Sequence, residues 1–159
     1  LNVGFTVGQV SYIYLLGGLL TVFMLPFVGK MADRHGRFPI YMIASAVAIF
    51  SIFSVTNLPA VSIPVALIAT SSFFVVSAGR SVPATTMITS VVEPSHRGSF
   101  MTIRQSVNEA GLFFCSIISG LIIYEGEDGR LMNYEYVGYF TILMSIIAVY
   151  LASRIKSIA

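Results

Sequence analysis

Leu25-Pro26-Phe27-Val28-Gly29-Lys30-Met31-Ala32-Asp33-Arg34-His35-Gly36-Arg37-Phe38 is the stretch that decides the fold. It contains the densest cluster of charge in the chain, and apolar sequence runs away from it on both sides, over 11–28 upstream and 38–56 downstream. A membrane span needs roughly 20 mostly apolar residues to cross a hydrocarbon core of about 30 Å. Two such runs joined by a short charged segment therefore read as two membrane helices and the tight connection between them.

Working outward, three more runs qualify, over 62–92, 98–124 and 137–153. The composition agrees: 56% of residues are hydrophobic and 10% are Asp, Glu, Lys or Arg. A soluble domain carries about 25% charged residues. Consecutive helices that are apolar on every face have no side for water, which excludes a soluble helical core. The expected fold is an all-α membrane protein of five transmembrane helices, one partial transmembrane domain over residues 1–159 with no separate soluble domain. The first nine residues read as the tail of a loop, with further helices expected upstream.

The spans are punctuated by recognisable breakers. Asn57-Leu58-Pro59 ends the second. The third is long, with Arg80 and Pro83 inside it, and length of this kind is accommodated by tilt or a kink. Glu93-Pro94-Ser95-His96-Arg97-Gly98 follows, where the residue before proline disfavours helix and glycine permits a turn. Glu125 to Glu135 forms an acidic, glycine-containing loop before the last span.

Charge placement orients the chain. With five spans, one side receives Lys30, Arg34, Arg37, Arg97, Arg154 and Lys156, and the other only Arg130 among four acids. Lys and Arg concentrate on the cytoplasmic side, so the Asp33 connection, the Arg97 connection and the C-terminus are expected inside. A bacterial inner membrane is the expected location.

Within the first connection, Gly29 and Gly36 supply permissive backbone positions. Asp33 stands just before the second span, where a carboxylate suits the free N–H groups at a helix start. Arg34 and Arg37 can pair with carboxylates or lipid phosphates. Residue chemistry alone also allows a plain topology anchor.

Gly29-Lys30-Met31-Ala32-Asp33-Arg34-His35-Gly36-Arg37 resembles the loop signature of the major facilitator superfamily, Gly-x-(Leu/Met)-(Ala/Ser)-Asp-Arg-x-Gly-Arg, departing only at Phe38, where another basic residue is common. Glu93 to Gly98 resembles the family's connection between helices 10 and 11. The resemblance implies helices 8 to 12 of a twelve-helix transporter, most of its C-terminal six-helix bundle, in the manner of drug:proton antiporter or sugar-efflux members. It implies secondary active transport of a small solute, proton-coupled, by alternating access, with the bilayer and the N-terminal half of the same chain as partners. It also implies a cytoplasmic gate role for Gly29, Asp33, Arg34, Gly36, Arg37, Glu93, Arg97 and Gly98.

Ionisable residues inside the spans are the other candidates, because charge in hydrocarbon is costly and marks a pathway by default. Arg80 lies roughly 20 Å along a helix from Glu93, and Glu109 roughly 16 Å from Gly98. By pseudo-symmetry Gly79-Arg80 resembles the counterpart of an arginine in helix 4 of drug antiporters. Arg104 and Asn108, and Gln105 and Glu109, are spaced i, i+4, giving the fourth helix a polar stripe expected to face a cavity. A cavity lined by Arg80 and Glu109 is the expectation, with Glu109 exchanging protons. The rival for Arg80 is a structural pair with a polar neighbour, or a side chain that snorkels to the interface; for Glu109 it is helix-packing glue. The Ser, Thr and Gly residues of the spans, Thr85 and Thr86 among them, read as packing.

An intramembrane enzyme is disfavoured. Both histidines, His35 and His96, fall in connections, no Gly-x-Ser-x-Gly or His-Glu-x-x-His is present, and Cys115 is the one cysteine. No metal, cofactor or nucleic-acid partner is expected. A non-transporting scaffold or sensor would keep the Asp33 connection but could dispense with Arg80 and Glu109.

Overall fold

The computed structural model describes residues 7–57, 63–126 and 131–155. Lys156, Arg130, Glu127 to Gly129, Leu58 and Pro59 and the first six residues lie outside the described residues, so the expectations resting on them have no structural counterpart. Five α-helices follow in order: α1 (Val7–His35), α2 (Arg37–Thr56), α3 (Ile63–Ser90), α4 (Arg97–Ile122) and α5 (Tyr134–Ala152). A 3-10 turn, Pro94–His96, leads into α4. Strands β1 (Tyr124–Glu125) and β2 (Leu131–Met132) pair antiparallel between α4 and α5. That hairpin is a small addition to an otherwise all-α architecture, closing the base of the loop before α5 by backbone pairing.

Among the described residues, four helices are long and apolar enough to cross a membrane: α1, α2, α3 and α5. At 26 residues α4 is about 39 Å long, ample for a crossing. Arg97, Arg104, Gln105, Asn108 and Glu109 in its first half make it the least apolar of the five.

The main body is a row of packed helices, with α1 against α3, α3 against α2, and α2 against α5. The centre is α2: 33% of its apolar window is buried, against 6% for α1 and 17% for α3 and α5. By contrast α4 has no buried residue and touches α5 and the 3-10 turn. Large apolar side chains such as Phe23, Phe50, Phe113 and Leu121 stay exposed on the chain's own surface, the arrangement expected where lipid or further protein supplies the cover.

The break between α1 and α2 corrects the reading of the first connection. Gly29 does not turn the chain; α1 continues through it to His35. A Cβ there would stand 3.9 Å from Val82 Cγ1 on α3, an ordinary contact, so packing does not require glycine at this position. Asp33 consequently lies in the last turn of α1, not at the start of α2, whose N-cap is Gly36 with no side-chain cap. The whole reversal falls on Gly36, at φ 92° and ψ 144°. Pro39 then sits in the first turn of α2, where its missing N–H costs nothing. Pro83 leaves α3 one continuous helix.

At the other end, α2 and α5 approach closely at Gly138. A Cβ on Gly138 would fall 2.5 Å from Thr56 Cγ2. Beside this contact Tyr139 Oη donates to Asn57 Oδ1 at 3.1 Å. Asn133, in the left-handed region at φ 62°, donates its side-chain amide to Ile122 O at 3.3 Å, tying the end of α4 to the start of α5. Gly138→Ala should lower stability by about 1–3 kcal/mol through overpacking, read as an earlier unfolding midpoint in detergent. Thr56→Gly in the same chain should restore most of it; no restoration would place the strain elsewhere.

Candidate functional site

Two cavities open between the helices where the sequence places its charge. The first, about 520 Å³, lies at the Gly36 end and is lined by Asp33, Gly36 and Arg37 together with Met87 from α3 and Ser153 beyond α5. The ends of α1, α3 and α5 and the start of α2 therefore share one end of the bundle. Asp33, Arg34 and Arg37 are exposed. Of the proposed gate residues, Gly29, Arg34, Glu93, Arg97 and Gly98 stand outside this cavity lining. Arg97 Nε donates to Val92 O at 3.3 Å, and Glu93 Oε2 lies 3.8 Å from His96 Nδ1 with both side chains largely exposed. Among the described residues no ion pair joins Asp33 to a basic side chain.

The second cavity, about 410 Å³, lies deeper, between α2, α3, α4 and α5. Arg80 and Arg104 both line it, with Tyr41, Ser77, Thr141 and Ser145. Arg80 is ten residues from the end of α3, or about 15 Å along the axis and near the middle of a 30 Å core. Its Nη1 donates to Ser145 Oγ at 3.0 Å, and Ser145 Oγ in turn donates to Thr141 O at 2.8 Å. Arg104 reaches from α4 to α3, where its Nη2 donates to Thr85 Oγ1 at 3.0 Å. Both arginines are half-buried. The polar-neighbour reading of Arg80 thus has its partner, Ser145, while most of each guanidinium's donors remain available.

The polar residues of α4 are divided between two faces. Gln105 Nε2 donates to Glu109 Oε1 along the helix, as their spacing suggests. Gln105, Asn108 and Glu109 are all exposed, and none lines the Arg80 cavity. For Glu109 the reason is helical phase: five residues separate it from Arg104, about 140° around the axis at 3.6 residues per turn, whereas Asn108 keeps the face of Arg104 but lies about 6 Å further along the helix. The cavity expected to hold Arg80 with Glu109 holds Arg80 with Arg104 instead.

Ser145, Thr141, Tyr41 and Thr85 complete the site without having been singled out by sequence. Nothing in α5 distinguishes Ser145 from the serines that only pack, and Thr85 belonged to a pair read as packing. The available signal was weak: two arginines inside spans require partners, and hydroxyls are the commonest polar groups nearby.

Chemically, the deep cavity can bind and orient. It offers two fixed positive charges and several hydroxyls, with no thiol or imidazole to act as a nucleophile. No curated protein and no solved structure matches the chain. A family model described as Major Facilitator Superfamily matches residues 1–156.

Proposed function

Because the chain belongs to the major facilitator superfamily, we propose that it supplies one wall of a proton-coupled secondary transporter that moves a small solute by alternating access. Membership implies a multi-pass membrane protein and solute transport in general. The finer reading rests on one observation, a cavity lined by both Arg80 and Arg104, with Arg80 about 15 Å along the axis from the end of α3. Binding sites at the midplane between helix bundles are what alternating access requires, because the bundles rock about a fixed site. In this reading α4 is the fifth span, its polar half turned to a second bundle built by the N-terminal half of the full-length protein. The Gly36 end is cytoplasmic, following the bias of its basic residues, and the Asp33 connection docks against the other bundle to hold one conformation. The kinship with drug:proton antiporter or sugar-efflux members belongs to the same proposal.

Glu109 carries the proton step. It is the one carboxylate within the long helices away from their ends, and the second bundle would cover its exposed face. Reconstituted into liposomes, full-length protein carrying Glu109→Gln should keep solute exchange but lose acceleration by an imposed pH gradient. Transport that follows the gradient as in the parent protein would remove Glu109 from the coupling path.

A further inference from the structure

We propose that the deep cavity selects an anionic solute, held between Arg80 and Arg104 through a carboxylate or phosphate oxyanion. The inference rests on the transport reading above and names the class of molecule carried. Two guanidiniums from different helices, α3 and α4, open onto one space. Each has five N–H donors. Arg80 bonds Ser145 and Arg104 bonds Thr85, both neutral hydroxyls that leave the positive charges uncompensated.

Among the described residues no carboxylate lines the cavity, and the one ion pair is the exposed Glu93–His96 contact. Glu109 is turned away and is engaged by Gln105. Asp33 and Glu93 lie at the Gly36 end, and Glu125 and Glu135 beyond the opposite end of α4. Two positive charges at this depth are expensive without counter-charge. A planar fork of donors matches the oxygens of carboxylate or phosphate. Both arginines border the same space of about 410 Å³, so a single small solute there can meet both. The remaining lining, Tyr41, Ser77 and Thr141, adds hydroxyls that suit the uncharged part of a polar molecule.

The test is uptake by full-length protein in vesicles of phosphatidylcholine alone, using matched organic solutes on one skeleton. Glucuronate, glucose 6-phosphate, glucose and glucosamine form one such set; benzoate, benzamide and benzylamine form another. The acids should be carried or compete best. Arg80→Gln and Arg104→Gln should each reduce the preference for acid over its neutral partner about tenfold to a hundredfold. Arg80→Lys should recover part of it, because charge returns without the fork. A purely structural arginine would change acid and neutral uptake together, and that outcome overturns the proposal. Transport of the neutral or amino compounds in preference to the acids overturns it too, and shows that a carboxylate from the other bundle fills the site while leaving the transporter reading intact. If no compound of any charge moves, the transport reading fails and this inference with it. Phosphatidylglycerol added to the vesicles should leave the acid preference unchanged. Its loss would make the arginine pair a lipid-headgroup site and end the proposal.

Discussion

Arg80→Ala should reduce solute transport on the order of a hundredfold while leaving the amount of folded protein in the membrane nearly unchanged. The magnitude follows from the interaction removed. A hydrogen bond to a charged group contributes about 1.5–3 kcal/mol, and each 1.4 kcal/mol is about tenfold in an equilibrium. The small structural cost follows from what remains. Arg80 donates to Ser145 Oγ, but that hydroxyl also donates to Thr141 O. Removing the guanidinium therefore leaves Ser145 with a partner and takes a costly charge out of the membrane. Arg80→Lys should fall between parent and alanine. Initial uptake rates, normalised to correctly folded protein by size-exclusion profile, provide the readout. Equal loss of folded protein and transport would reduce Arg80 to a structural pair with Ser145.

The connection between α1 and α2 should give the second large effect, with two adjacent positions failing in opposite ways. Gly36 has φ 92° and ψ 144°, close to a region essentially restricted to glycine, where other residues pay about 1–3 kcal/mol. An added Cβ would meet Pro39 Cδ at 3.4 Å, an ordinary contact, so the cost is that of the backbone conformation. Gly36→Val should therefore cut the yield of folded protein severalfold. Asp33 is exposed on the last turn of α1 and lines the cavity at this end. Asp33→Asn keeps its shape and disturbs no ion pair among the described residues, so yield should hold while transport falls about tenfold through loss of one charge-assisted contact to the other bundle. If Asp33→Asn lowers yield as much as transport, the connection is a topology anchor and the docking role is wrong.

The helices themselves were largely readable from sequence, because hydrocarbon imposes a length and a composition that few other settings do. Their ends were less so. Gly29 and Gly36 look alike in a string of residues, yet α1 runs straight through one and the chain turns at the other. Which glycine bends depends on the neighbouring helix, and a single sequence does not list neighbours. The site shows the same limit one level up. Spacing correctly joined Gln105 to Glu109, since both lie on one helix. It could not say which face of α4 meets α3, because that rotation is set by packing between helices distant in sequence. Arg104 therefore replaces Glu109 beside Arg80, and the chemistry of the cavity changes from a mixed pair to a doubly positive one. The hairpin below the acidic loop was hidden for a simpler reason: two-residue strands leave no period to detect.

The close approach of Gly138 to Thr56 has a mechanical consequence. It pinches α2 and α5 together near one end, and Tyr139 holds Asn57 beside it, whereas at the other end both helices border a cavity of about 520 Å³. The pair is a lever with its fulcrum off-centre. Across the 20 residues of α2, a length of about 30 Å, a tilt of about 5° displaces the far end by roughly 2.6 Å. In the alternating-access reading proposed above, a movement that barely loosens the glycine contact would change the width of the cavity beside Asp33 and Arg37 by about the size of a water molecule.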